Sequence, residues 1–142
     1  MYKLIYGENA RLLPWAAPRI GVTAFRQDAQ TIGYERDGEL VAVVVFDGFS
    51  YGDGYMHVAS DGSRRWLTRE LLSAAFAYPF IQCGLRRITA LVPAKNSVAL
   101  KFDEELGFRR EGYHPHAAES GGDIISLGML REQCRFLPQE AR

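Results

Sequence analysis

The chain has 142 residues, 47% of them hydrophobic, with 17 basic and 17 acidic residues and so no formal net charge. That size suits one domain with a real core, taken here as residues 1–142, and the composition excludes a disordered, fibrous or low-complexity chain. Neutrality argues against a non-specific nucleic-acid binder, which needs a basic excess, and the longest purely apolar run, Leu40 to Phe46, is too short to span a bilayer.

The N-terminal MYKLIYGENAR has no apolar stretch of signal-peptide length. The two cysteines, Cys83 and Cys134, lie far apart and outside any CxxC pattern. Both observations point to a reducing cytoplasm, with both thiols expected to be buried and free.

Tyr2 to Tyr6 reads as a first strand. Asn9 is placed to cap a short helix through Ala17, with Pro14 in its early turns and Pro18 near its end. Gly21 to Asp28 reads as irregular or as one helical turn. Gln30 to Glu35, Asp37-Gly38 and Glu39 to Phe46 form the clearest hairpin, because Asp-Gly between apolar runs favours a tight primed turn. The run from Leu40 to Phe46 is apolar throughout, so both of its faces are covered and the strand is central. Asp47 to Gly54 reads as a Gly-rich turn, and Tyr55 to Ala59 as the fourth strand, ended by Ser60-Asp61-Gly62-Ser63.

Arg64 to Phe76 has helical periodicity through Leu67, Leu71 and Ala75. Pro79 ends that helix and Gly84 marks the next turn. Arg86 to Val92 is a strand. Asn96 to Leu106 is a helix with Val98, Phe102 and Leu106 on one stripe, closed by Gly107 in a left-handed conformation. Arg109 to His116 and Asp123 to Leu130 are the last two strands, and an exposed edge on the last would let two protomers pair. The expected class is α/β (α+β): a mixed, mostly antiparallel sheet of six to seven strands with helices on both faces.

Some residues stand out on type alone. His57 lies on the fourth strand, and histidine is the side chain suited to moving protons at neutral pH. Asp47 ends the strand before it. His114 and His116 flank Pro115, yet no third ligand has metal-site spacing. Arg64-Arg65, Arg86-Arg87 and Arg109-Arg110 are three basic pairs, read mainly as solvated strand or helix ends.

The strand Ile88-Thr89-Ala90-Leu91-Val92-Pro93, the opening Asn96, Leu106-Gly107-Phe108, Arg110-Glu111-Gly112 and the closing Asp123 to Arg131 stand in fixed order. This set resembles the C-terminal half of the GNAT superfamily of acyl-CoA-dependent N-acyltransferases, and with the element order the resemblance covers roughly Gln30 to Leu130. The spacing looks like the branch that acetylates protein N-termini and small amines. It also looks like small acyltransferase-like proteins of bacteriophages. The family usually has two helices between its first two strands, where this chain has room for a compressed version.

The resemblance implies acetyl-CoA as co-substrate, no metal, and acetyl transfer to a primary amine by direct attack in a ternary complex. Backbone groups at Val58 to Ser60 would hold the thioester carbonyl, an oxyanion-type role. Asn96 would hold the pantetheine arm. His57 or Asp47 would act as base. The pyrophosphate loop maps to Ser63, Arg64, Arg65, Trp66, Leu67 and Thr68, at a helix N-terminus whose free N–H groups and positive dipole end favour phosphate. Here Ser63 stands for the family's Gln or Arg, Trp66 for its first Gly, and Thr68 for its second Gly or Ala. Many members carry a Tyr four residues before the Gly of LGF, where it protonates the departing thiolate. That position is Asp103, grouped with Glu104 and Glu105 as a solvated helix face.

The altered loop motivates an alternative, a non-enzymatic phage virion or assembly protein on the same fold. The three arginine pairs motivate a third reading, a nucleobase-acylating enzyme, against which neutral charge argues. The acceptor amine is not legible, since acceptor pockets in such folds are built by loops and early helices.

Overall fold

A computed structural model describes residues 1–142. Its seven strands form one sheet in the order β1-β2-β3-β4-β5-β7-β6. They are β1 Tyr2–Tyr6, β2 Gln30–Arg36, β3 Glu39–Ser50, β4 Asp53–Ser60, β5 Arg87–Pro93, β6 Arg109–His114 and β7 Ile124–Leu130. The helices are α1 Asn9–Ile20, α2 Arg69–Ala77 and α3 Ser97–Leu106. No helix is long and apolar enough to cross a membrane.

Alternation along β3 splits the core in two. Val43 and Val45 face α1, where Leu12 and Ala16 pack with Ile5 and Ala59. Ala42, Val44 and Phe46 face α2 and α3, packing with Leu71, Phe76, Leu100 and Leu106. Helices therefore cover both faces. Gly33 in β2 is required by this packing, because a Cβ there would come within 2.8 Å of Leu12.

The β2–β3 hairpin turns at Asp37-Gly38 as expected, with φ of 52° and 88°, the double positive φ of a type I′ turn. Asn96 caps α3 through a bond from the Ala99 N–H to its Oδ1, and Gly107 closes the helix at φ 116°. Elsewhere the local reading is corrected. Asn9 does not cap α1. Glu8 holds that position, and the Asn9 amide donates to the Ala29 carbonyl while its Oδ1 accepts from the Thr31 hydroxyl, tying α1 to the start of β2. The helix runs on to Ile20, with both prolines inside it.

β3 extends to Ser50 rather than stopping at Phe46, because the Asp28 carboxylate accepts the N–H groups of Gly48 and Phe49. Asp47 thus lies within a strand, opposite Tyr55, and the turn falls at Tyr51-Gly52. Pro79 does not end the helical path, which continues as a π-helical turn over Tyr78–Gln82 that absorbs the proline. Cys134 is buried, whereas Cys83 at the end of that turn is exposed. Val98 is 71% exposed, so the α3 core stripe is Leu100 and Leu106 instead. The last strand, β7, is interior between β5 and β6, and the edges of the sheet are β1 and β6.

The largest shift is at α2, which starts at Arg69 rather than Arg64. Its cap is Thr68, whose Oγ1 accepts from the Leu71 N–H and bonds the Tyr34 hydroxyl at 2.8 Å. Thr68→Ala removes the cap and leaves the buried Tyr34 hydroxyl without its partner. A loss of about 1–2 kcal/mol in urea unfolding is expected; an unchanged midpoint would show that the cap is idle.

Candidate functional site

β4 and β5 run parallel but pair at a single register, Tyr55 with Thr89. Beyond that pair the strands part. Backbone groups of Met56 to Ser60 and Ala90 to Pro93 that would have bridged a ladder instead border a cleft of about 370 Å3. A parallel ladder broken after one pair leaves polar backbone that needs a ligand or water. That is the physical basis for a site here.

The cleft is lined by Met56, His57, Val58 and Ser60 of β4, and by Ala90 to Pro93 of β5. Asn96, Ala99, Phe102, Asp103 and Leu106 come from α3, Gly62, Ser63, Arg64 and Trp66 from the β4–α2 loop, and Arg19 and Ile20 from the end of α1. Of the residues singled out from sequence, His57, Val58, Ser60, Ser63, Arg64, Trp66 and Asn96 converge on this cleft. Arg65, Leu67 and Thr68 do not line it, and Asp47 lies behind it. Arg19 had no sequence signal, since only the packing of α1 across β4 brings it to the cleft.

His57 and Asp47 form a dyad. His57 Nε2 lies 2.8 Å from Asp47 Oδ1, and the Asp47 side chain is 1% exposed. A carboxylate only accepts, so Nε2 carries the hydrogen, and in the neutral imidazole the lone pair falls on Nδ1. Asp47 also accepts from the Arg26 backbone N–H at 3.2 Å and from its guanidinium at 3.3 Å. Burial pushes the Asp47 carboxyl up, but the His57 bond and charge and the Arg26 contacts more than offset it. The group titrates below the usual carboxylate range. Phe25 and Tyr55 flank the imidazole at ring distances of 5.6 and 6.5 Å. A histidine held in one tautomer by a buried carboxylate, at the edge of a cleft, is equipped to take a proton.

On the opposite wall Asp103 faces the cleft half-buried, not solvated as its neighbours Glu104 and Glu105 are. Burial alone, with no bonding partner, pushes its carboxyl up to about 7. Asn96 spends its Oδ1 on the α3 cap and keeps its Nδ2 donors free.

The β4–α2 loop is tightly self-bonded. The Asp61 carboxylate accepts the N–H and hydroxyl of Ser63, the Leu67 N–H donates to the Arg64 carbonyl, and the Thr68 N–H to that of Trp66. The N–H groups of Arg64, Arg65, Trp66, Arg69 and Glu70 donate to no acceptor within the protein. These are the loop's remaining donors for an anion, beside the Arg64 guanidinium. Trp66 is 6% exposed and builds the wall between loop and α3. Its indole N–H donates to the Ser63 carbonyl at 2.6 Å, and its ring lies 5.6 Å from Phe102.

The remaining candidates have ordinary partners. His114 Nε2 lies 2.9 Å from the Ser126 hydroxyl and His116 Nδ1 lies 3.1 Å from the Gly121 carbonyl. No three His, Cys, Asp or Glu side chains gather into a metal-holding group. Arg87 bonds Glu111, and Arg110 bonds Glu104 at 3.1 Å.

No protein-family model and no curated protein matches the sequence. Solved structures do. Spermidine/spermine N-acetyltransferase SpeG from Vibrio cholerae, crystallised with manganese ions, superposes at TM-score 0.73 and 16% identity over 92% of this chain and 93% of that one. The N152L mutant of the same enzyme gives 0.66 and 19% over 80% and 70%. A dodecameric form in an intermediate state gives 0.65 and 19% over 75% and 67%. At such identities the likeness is one of fold, and the fold is that of the GNAT superfamily.

Proposed function

We propose that the chain is an acyl-CoA-dependent N-acyltransferase that moves an acetyl group from acetyl-CoA to a primary amine. What carries this reading is the parting of β4 and β5 after the Tyr55–Thr89 pair, with the His57–Asp47 dyad on one side of the gap. The GNAT-type fold supports it, as do the neighbours named N-acetyltransferases.

The residues present fit the co-substrate. Asn96 Nδ2 is free to bond an amide carbonyl of pantetheine, and the unspent N–H groups of Arg64 to Trp66, with the Arg64 guanidinium, suit a pyrophosphate. Leu67 and Thr68 then serve by shaping the loop, and Arg65 through its main-chain N–H. Acetyl-CoA supplies an activated acyl carbon. The chain's own contribution is to hold the thioester carbonyl against backbone donors of Val58 to Ser60, to exclude water with Trp66 and Phe102, and to take the amine's proton at His57. The whole chain acts as one such domain in the cytoplasm, and any assembly of copies through strand pairing would use an edge strand, β1 or β6.

Calorimetric titration with acetyl-CoA tests the reading. Saturable binding with a micromolar constant is expected, and no binding at millimolar ligand would sink it. One observation favours a second reading, a non-enzymatic assembly role: the loop spends the Ser63, Leu67 and Thr68 N–H groups on itself. The same titration separates the two.

A further inference from the structure

A second cavity, of about 550 Å3, lies where β4 begins, and it shares no residue with the cleft. The β3–β4 turn forms one wall, the start of β5 a second, and the segment after β7 a third. Four guanidinium groups and two carboxylates, Asp53 and Glu132, line it. Asp53 is spent, 3.5 Å from Arg87 Nε and accepting from the Thr89 hydroxyl at 3.0 Å. Arg87 is spent as well, on Asp53 and Glu111. Arg86, Arg131 and Arg142 are left with Glu132 as the one free acid beside them.

These cations are held without being neutralised. Arg131 donates to the main-chain carbonyls of Gly84 and Leu85, and Arg142 to those of Leu137 and Arg135. A carbonyl fixes a guanidinium and leaves its charge in place. The Arg86 side chain is exposed and has no bonding partner in the protein, yet it has a seat. Gly52 is buried and lacks the positive φ that would itself require glycine. Space requires it: a Cβ there would come within 2.6 Å of the Arg86 guanidinium. The main chain locks the same joint. The Gly52 carbonyl accepts the N–H groups of Arg86 at 2.9 Å and Arg87 at 3.1 Å, and the Arg86 carbonyl accepts that of Arg131 at 3.0 Å. At the rim Tyr51 is fully exposed, with φ 53°, a conformation rare for a bulky side chain. Its ring is free to stack.

We infer that this cavity binds the phosphate of a nucleotide, with the base stacked on Tyr51. Guanidinium forks match phosphate oxygens two at a time, and they stay charged at any working pH. An exposed aromatic ring beside them adds the stacking surface that a base uses and an acidic peptide does not need. Free mononucleotides and single-stranded RNA share this chemistry. The neutral charge of the whole chain confines the contact to this one cluster. Because the two cavities share no residue, occupancy here and acetyl-CoA binding are separately measurable.

Amide NMR and calorimetry on the full chain test this, with uridine monophosphate, inorganic phosphate, a short oligouridylate and an oligoglutamate peptide as probes. Uridine monophosphate is expected to bind saturably and to shift the amide signals of Tyr51, Gly52, Arg86 and Arg131, leaving those of Met56 to Ser60 in place. Arg86→Gln removes a group with no partner in the fold and is expected to weaken that binding about tenfold. Gly52→Ala keeps every charge but unseats the guanidinium, and a comparable loss is expected. Tyr51→Ala is expected to weaken uridine monophosphate about tenfold and to leave inorganic phosphate unchanged. An oligouridylate that binds more tightly than the mononucleotide identifies a strand as the source, and equal affinity identifies the free nucleotide. No saturable binding of uridine monophosphate at millimolar concentration, or signal shifts confined to the cleft, overturns the inference. So does Arg86→Gln binding as the parent does, or an oligoglutamate that binds as tightly as the oligouridylate.

Discussion

Replacing Asp47 by Asn is expected to lower turnover about 100-fold or more while leaving acetyl-CoA affinity unchanged. Asp47 does not line the cleft. It acts through His57 Nε2, 2.8 Å away, and a carboxylate there fixes the hydrogen on Nε2 and, in the neutral imidazole, the lone pair on Nδ1. An amide can also donate to Nε2, which lets the imidazole turn its tautomer and spend the basic nitrogen. His57→Gln should cost as much, and the double variant should be no slower than the worse single one, because the two residues act as one unit. Asp47 also anchors Arg26 by its backbone N–H and guanidinium, so Asp47→Asn loosens the segment after α1 as well. His57→Gln leaves those contacts intact and separates chemistry from stability. The pH dependence of unfolding has a definite sign. Asp47 titrates lower in the folded chain than in the unfolded one. Its stabilisation is therefore complete above the ordinary carboxylate range and lost as pH falls through the lower folded value. Asp47→Asn should flatten that acid limb in urea titrations at pH 3 to 6. If both single variants stay within threefold of the parent in kcat, the dyad has no part in the chemistry.

What sequence could reach here was decided by the range of the interaction. The turn at Asp37-Gly38, the cap at Asn96 and the left-handed Gly107 each need only neighbours within four residues, and all three stand as read. The α2 cap, Thr68, is held by Tyr34, distant in sequence, and so the helix starts at Arg69 rather than at Arg64. Asp47 looked like a turn residue because Gly48 follows it. Asp28, contributed by another segment, bonds the Gly48 and Phe49 N–H groups and keeps β3 extended. The parting of β4 from β5 has no local signal at all. Asp103 did have one: the spacing Asn96, Ala99, Asp103, Leu106 traces a single helical line. The adjacent Glu104 and Glu105 masked it, because three acidic residues in a row read as a solvated face.

Trp66→Ala is expected to cost about 3–5 kcal/mol of stability in urea unfolding, the largest single-site loss anticipated outside the strands. The indole is 6% exposed, packs against Phe102 and ties its N–H to the Ser63 carbonyl. Its removal opens a void between the β4–α2 loop and α3 and leaves the Ser63 carbonyl without its donor. Trp66→Phe keeps an aromatic ring beside Phe102 and loses only the hydrogen bond, for about 1 kcal/mol. That milder variant makes the functional test clean, because it folds. The resemblance to acyl-CoA-dependent acyltransferases aligns Trp66 with a glycine that allows close approach of the cofactor's phosphates, so under the proposed function the indole serves either as wall or as plug. A wall residue holds the loop's free N–H groups in place, and its loss weakens acetyl-CoA binding in calorimetry by about tenfold in Trp66→Phe and more in Trp66→Gly. A plug gives the opposite sign, tighter binding once the ring is trimmed. The open cleft beside a Trp66 already packed against Phe102 favours the wall. An affinity gain in either variant would refute it.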